Sequence, residues 1–312
     1  MAKIMVGAEN YMSLGWFGAG IFYPPTIQTG ADYVEALQHY AKQFNLMELD
    51  FQLGTRRQIL RAKLDALDDF PNFRFAVVND IEILDDIDWE LYSGVCDFLQ
   101  NQNRLAYFYF RLSPKIRFNT RTFAHFRELG NMLPKSVRFA FEFGDNSWTE
   151  DFRVISFFKK QKSWSIAVPC VENAMIHPGW AGNIPSTRVA CEKSGPKLTI
   201  TTDFICYRFY GTYGQHYGSY DDEGFLERLT QRFRNLTNNG IDVFCVFNNF
   251  SGTVNYPLPV SHVFGVPLCP KLKSVDQNKP CSLHDALKLQ KLLNSVTYST
   301  DADGFVKLKW VE

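Results

Sequence analysis

Short apolar runs alternate with amphipathic stretches along most of this chain, and no other feature restricts its fold so strongly. The runs cover residues 3–7, 46–50, 74–78, 105–111, 137–143, 164–170, 204–209 and 243–247, and each reads as a strand. Between them apolar residues recur at helical spacing: Val34, Leu37, Ala41 and Phe44 within 32–44, and Ile59, Leu60, Leu64 and Leu67 within 55–67. Further helices are expected over 89–103, 119–133, 222–238 and 283–294. Asp32 stands where it can cap the first helix. Ser147-Trp-Thr-Glu150 has the spacing of a capping box and is expected to open a helix reaching to about Gln161. Strand–helix alternation implies a parallel sheet, and near-continuous apolar strands imply burial on both faces. Eight such units favour an α/β fold of the (β/α)8 TIM-barrel type, with a doubly wound open sheet as the rival.

Two stretches break the rhythm. Residues 251–281 carry Pro257, Pro259, Pro267, Pro270 and Pro280 and read as an insertion before the last helix. Residues 296–312, with Asp303-Gly304 between two β-prone runs, read as a C-terminal hairpin extension. The expected organisation is one barrel over 1–295 followed by that extension.

Composition narrows the function classes. The 46% hydrophobic content excludes a disordered chain. Lys and Arg number 33 against 33 Asp and Glu, so the cationic excess that a nucleic-acid binder needs is missing. The N-terminal segment is too short and too charged for a signal-peptide core, and no apolar run approaches the ~18 residues that span a bilayer. The seven cysteines, an odd number without a close pair, fit neither a disulfide framework nor a zinc site. Buried reduced thiols in a cytoplasmic protein are expected, with a small-molecule ligand and neither nucleic acid nor membrane as partner. No Gly-x-Ser-x-Gly, Walker-type or Gly-x-Gly-x-x-Gly run follows a strand, which weakens acyl-serine, P-loop and dinucleotide readings.

Read together, the strand ends resemble one family. Phe22-Tyr-Pro-Pro25, then Phe44-Asn45 with Met47-Glu48-Leu49, are similar to its "FYPP … FNxVEI" run. Phe73-Arg-Phe-Ala-Val77, Leu112-Ser-Pro114, Ala140-Phe-Glu-Phe143 with Ser147-Trp148, Tyr207-Arg208, Tyr217-Gly-Ser-Tyr220 and Phe247-Asn-Asn249 follow its later motifs. The chain resembles the YecE-like family, domain of unknown function 72, over roughly residues 3 to 294, and the resemblance implies a (β/α) barrel without a settled reaction. Against that pattern, Asp50 stands for Asn, Val78 for Lys, Arg111 for Gln, Gly144 for Arg, Tyr210 for His and Phe250 for Asp.

In a barrel of this type the reactive groups lie at the C-terminal ends of strands, above layers of packed apolar side chains. Glu48 and Asp50 share strand parity, Glu142 sits inside the run 139–143, Arg208 shares a face with Cys206 and Tyr210, and Arg111 ends the fourth strand. Glu142 and Glu48 are the candidate acid/base pair. A Glu142–Arg208 or Glu48–Arg208 ion pair that only fixes the interior is the structural alternative. Arg208, Arg111, Asp50, Asn248, Asn249, Tyr210 and Tyr217 are candidate substrate-binding residues. Trp16, Tyr23, Trp148, Tyr210, Tyr213 and Tyr217 fall near the rim, where an aromatic ring can stack on a sugar. The glycines of 211–218 suggest a lid, with His216 at its tip. Glu48, Asp50 and Glu142 offer hard oxygens to a divalent cation, yet no histidine falls at a strand end, so neither metal nor cofactor is expected. Arg56, Arg57, Arg61 and Lys63 share one helix and read as a solvated face. The leading expectation is an enzyme of hydrolase or isomerase/lyase type acting on a small polar or sugar-like metabolite. The other is a non-catalytic ligand-binding or interaction barrel.

Overall fold

The first strand, β1 (Ile4–Ala8), pairs in parallel with β2 (Leu46–Asp50) on one side and β9 (Asp242–Phe247) on the other, and the sheet grows outward from there. The computed structural model describes residues 2–8, 22–24, 26–27, 32–51, 57–84, 87, 89–170, 199–210, 224–248, 281–294, 296–300 and 306–310. In chain order the intervening elements are α1 (Tyr33–Gln43), α2 (Arg57–Asp65), β3 (Arg74–Ile81), α3 (Trp89–Asn101), β4 (Leu105–Leu112), α4 (Thr120–Met132) and β5 (Phe139–Phe143). There follow the one-turn α5 (Ser147–Glu150), α6 (Phe152–Gln161), β6 (Trp164–Ile166), β7 (Val168–Cys170), β8 (Phe204–Phe209) and α7 (Phe225–Asn238), with α8 (Cys281–Asn294) after β9. A separate antiparallel pair, β10 (Val296–Thr300) and β11 (Val306–Trp310), forms the expected hairpin. The insertion expected at 251–281 lies outside the described residues up to position 280.

The sheet order is β6-β5-β4-β3-β2-β1-β9-β8-β7, all parallel. Its two ends are halves of one continuous segment. β6 pairs with β5 and β7 with β8, so the segment closes a (β/α) barrel of eight strand positions. The ladder to β5 stops for a covalent reason. Phe139 N–H donates to Ser163 O and Ala167 N–H to Phe141 O at 2.9 Å. The next donor in that series would be Pro169, which has no N–H, and the strand turns to β8 instead.

The barrel strands are largely apolar on both faces because both are covered. Outward residues such as Val77, Phe108, Phe110, Phe139, Phe141 and Ile205 belong to the larger core beneath the helices, rich in aromatic pairs around Phe126, Phe158 and Trp164. Inward residues Met5, Leu46, Ala76, Tyr107, Tyr109, Ala140, Phe204, Cys206, Phe244 and Val246 fill the bore. The β1–β2 ladder is short, with only Gly7↔Leu46 and Ala8↔Met47 in register, and side chains complete it. Asn45 Oδ1 accepts the Val6 N–H at 3.0 Å. The buried Tyr40 hydroxyl accepts the Ala8 N–H at 2.6 Å and donates to Leu46 O at 3.0 Å. A Cβ at Gly7 would lie 1.9 Å from Leu46 O, so only glycine permits this approach.

Three local expectations need correction. The Asp32 side chain makes no cap bond to α1. The Ser147 box does not form: its hydroxyl donates to Asp145 and accepts the Phe118 N–H at 2.9 Å. The helix therefore breaks at extended Asp151, which caps α6 by accepting the Arg153 N–H. A reciprocal box forms at Asn119 and Thr122 instead. Lys63 is not on a solvated face with Arg61. Residues two apart on a helix stand about 200° apart around it, and Lys63 is buried at 7% exposure while Arg61 is exposed. Arg56 lies outside the described residues.

Two outcomes follow from these contacts. Tyr40→Phe leaves the Ala8 N–H and Leu46 O buried without their hydroxyl, and should lower unfolding free energy by about 1–3 kcal/mol in a denaturant titration. Burial lowers the Lys63 pKa to about 8, from an ordinary 10.5. The unfolded chain therefore binds this proton more tightly, and the resulting destabilisation is fully present below pH 8 and fades as pH rises toward 10.5. Lys63→Met is free of this penalty, which at pH 7 is on the order of 3 kcal/mol. That advantage should shrink steadily in titrations repeated up to pH 10.

Candidate functional site

Alternation along each strand sorts the bore from bottom to top. On the inward face of β5 the order is Arg138, Ala140, Glu142; on that of β8 it is Phe204, Cys206, Arg208, then Tyr210 just beyond the strand. At the lower end the Arg138 guanidinium lies over the Phe204 and Phe244 rings and pairs with Asp242 at 2.6 Å and Asp203 at 3.3 Å. The middle is apolar. Polar groups gather at the upper, C-terminal end.

There the side chains form one chain of bonds across the bore. Arg208 Nε donates to Glu48 Oε2 at 3.0 Å, and Nη2 of the same guanidinium lies 3.0 Å from that oxygen. Arg208 Nη1 donates to the Tyr210 hydroxyl at 2.6 Å, which in turn donates to Glu142 Oε2 at 2.7 Å. The Tyr109 hydroxyl donates to the same Glu142 oxygen. The guanidinium carbon lies 4.9 Å from the Tyr210 ring centre and 5.6 Å from that of Tyr109. Glu48, Glu142 and Arg208 are all buried. Of the two ion pairs considered, Glu48–Arg208 is the direct one; Glu142 meets the guanidinium only through Tyr210. Burial, reinforced by the Glu142 charge, raises the Tyr109 and Tyr210 pKa values well above the usual phenol value, and the nearby Arg208 only partly opposes this. Both hydroxyls stay protonated and act as donors.

Arg111 lies nearer the rim. Its Nε donates to Asp80 Oδ1 at 2.6 Å and its Nη2 to Asp80 Oδ2, a two-point grip. In the strand register Asp80, Arg111 and Glu142 form one row across β3, β4 and β5. Asp80 and Tyr109 are the residues that sequence reasoning missed. β3 runs on to Ile81, past the expected end at Val78, because polar Asn79-Asp80 imitates a turn while remaining in the ladder. Parity with Arg111 on β4 was the available signal for Tyr109.

The remaining candidates divide. Asp50 ends β2 with an exposed side chain. Asn248 is buried just past β9, its N–H donating to Phe209 O at 2.7 Å. Asn249, Tyr217, His216, Trp16 and Tyr213 lie outside the described residues. Trp148 and Tyr23 are core rather than rim. The Trp148 indole donates to Ile116 O at 2.7 Å and stacks on Phe143, and Tyr23 is equally buried. At Gly144, a Cβ would lie 2.5 Å from the Pro114 nitrogen, so the turn after β5 rests directly on the turn after β4. Among the described residues no three His, Cys, Asp or Glu side chains gather as a metal site. Cys96, Cys170, Cys206 and Cys245 are buried thiols outside any disulfide, and burial pushes the Cys96 thiol up to about 12. No helix among the described residues is long and apolar enough to cross a membrane.

The Glu48–Arg208 pair lends itself to a double-mutant cycle. Arg208→Met alone strands the Glu48 carboxylate in the bore and should cost about 3–5 kcal/mol of stability. Adding Glu48→Gln should recover part of that loss, read as a higher melting temperature for the double variant than for Arg208→Met.

The family model described as "Protein of unknown function DUF72" matches residues 5–257. Among solved structures, a DUF72 family protein from Thermotoga maritima superimposes with TM-score 0.65 at 18% identity, covering 94% of this chain and 99% of its own. One from Enterococcus faecalis gives TM-score 0.60 at 14% identity, covering 94% and 98%. These likenesses extend to the fold alone. No curated protein matches the chain. The family match takes in the barrel from β1 through β9, and the chain belongs to the DUF72 family.

Proposed function

We propose that this barrel is an enzyme that moves protons on a small polar metabolite, of hydrolase or isomerase/lyase type, with Glu142 as its acid/base. One observation carries the reading: Glu142 stands at the C-terminal end of an inward strand, held by two phenols instead of being locked against a guanidinium. Both of these bonds fall on Oε2. Oε1 then takes the substrate proton while the electron pair stays on the substrate, and the same oxygen returns the proton to the product. The two phenol donors fix the orientation of this carboxylate at the end of its strand. Glu48 orients Arg208, and Asp50, Asn248, Asn249 and Tyr217 are the residues placed in sequence to contact the remainder of the substrate.

A second reading, a ligand-binding barrel without catalysis, draws on the Glu48–Arg208 pair, whose two side chains are each 1% exposed and which by itself only fixes the interior. Incubation with aldoses, glycosides and hydroxy acids in deuterated water, followed by proton NMR, separates the two. The catalytic reading expects conversion or deuterium uptake by the wild type, reduced roughly a hundredfold or more in Glu142→Gln at a melting temperature within a few degrees of wild type. Compounds that bind the wild type and stay unchanged move the assignment to the binding barrel, whereas equal turnover by Glu142→Gln keeps an enzyme and removes Glu142 from its acid/base role.

A further inference from the structure

Arg111 and Asp80 have no part in the proton-handling chain, yet they share an inward register row with Glu142. Among the described residues Glu48, Glu142 and Asp80 gather with Arg208 and Arg111 at this end of the bore. Glu48 takes Arg208, Glu142 takes the two phenols, and Asp80 takes Arg111. The Asp80–Arg111 pair is lopsided. The Arg111 side chain is 14% exposed and that of Asp80 is 53% exposed. A guanidinium withdrawn that far from water needs an anion against it, whereas a half-exposed carboxylate regains its hydration on leaving. The neighbouring Lys115–Glu82 pair shows the contrast: both of its side chains are mostly in water, and either member stands there without the other.

We infer that the mouth takes an anionic metabolite, and that Asp80 is an exchangeable stand-in for the ligand's carboxylate or phosphate on Arg111. The fork that grips Asp80 through Nε and Nη2 fits either oxyanion with the same two-point geometry. Arg111 belongs to the row Asp80–Arg111–Glu142, so an oxyanion seated on it has its polar remainder beside Glu142 and its phenols. Arg208 lies within electrostatic reach of Arg111 and adds positive potential. This inference names the substrate class for the site proposed above and rests on that site being a ligand mouth.

Calorimetric titration with inorganic phosphate and with acetate, at low and constant chloride, tests it on the full chain. Asp80→Asn removes the competitor without removing a hydrogen-bonding side chain, and should bind one of the two anions roughly two- to fivefold more tightly than the wild type. Arg111→Gln should lose saturable binding, and Arg111→Lys, which keeps the charge but not the fork, should bind more weakly than the wild type. Preference for phosphate or for acetate identifies the oxyanion. If Asp80→Asn gains no affinity for either anion, or Arg111→Gln binds as well as the wild type, the stand-in role is overturned. The titration reads binding alone. Tighter binding by Asp80→Asn in a protein that converts none of the NMR panel keeps the anion site and retires the catalytic role of Glu142. Turnover lost in Glu142→Gln with no gain in Asp80→Asn does the reverse.

Discussion

The buried guanidinium of Arg208 is the group around which the upper bore is organised. A full positive charge away from water must be matched by carboxylates and hydrogen-bond acceptors that are themselves held in place. Here the matching groups come from distant strands: Glu48 from β2, Tyr210 just past β8, and, through Tyr210, Glu142 from β5 with Tyr109 from β4. In the sheet order β2 and β8 are separated by β1 and β9, and β5 lies at the other end. Only a closed cylinder lets side chains from those strands meet across a shared interior. The split segment of β6 and β7, turned by Pro169, is therefore as much a condition for the site as any residue in it.

Much of this was legible in the sequence, for a definite physical reason. Strands buried on both faces still alternate, so Glu48, Glu142 and Arg208, each in an apolar run, had to face either the bore or the helices, and a charge beneath the helices would be costly. Parity therefore placed them together. Which carboxylate Arg208 would take was not legible, because that depends on how the strands stagger around the cylinder, and period-two patterning carries no information about stagger. Tyr109 was hidden in an aromatic run whose other members are core, and Asp80 was hidden because Asn79-Asp80 has the composition of a turn. The Ser147 box failed in the same way. Its pattern is local, but the hydroxyl is taken by the neighbouring Asp145 and by the Phe118 N–H, which the fold brings close.

Several residues that carry the family likeness hold backbone rather than ligand. Asn45 completes the β1–β2 ladder, Trp148 ties the chain after β5 to Ile116, and Tyr23 is packed in the core. Such contacts specify where loops and strands lie, which is how a barrel superimposes on relatives sharing only 18% or 14% of its residues. Gly144 fits the same account, since the contact between two turns leaves no room there for a side chain. Positions that depart from the family pattern and face the bore, Arg111 and Tyr210 among them, are placed to alter chemistry without disturbing those backbone contacts.

Tyr210 shows what such a change does. The family pattern suggests histidine there, a side chain that gains and loses a proton near neutral pH. A phenol buried beside Glu142 is raised well above its usual pKa and keeps its proton throughout that range. It serves as a fixed donor to Glu142 and a fixed acceptor for Arg208. Tyr109, raised in the same way, is a second fixed donor to that carboxylate. On the catalytic reading, proton exchange then falls to Glu142 alone, and the chemistry narrows to steps in which one group removes a proton and later returns it. A mechanism needing a second proton-exchanging group would have to draw it from the substrate or from a residue beyond this network.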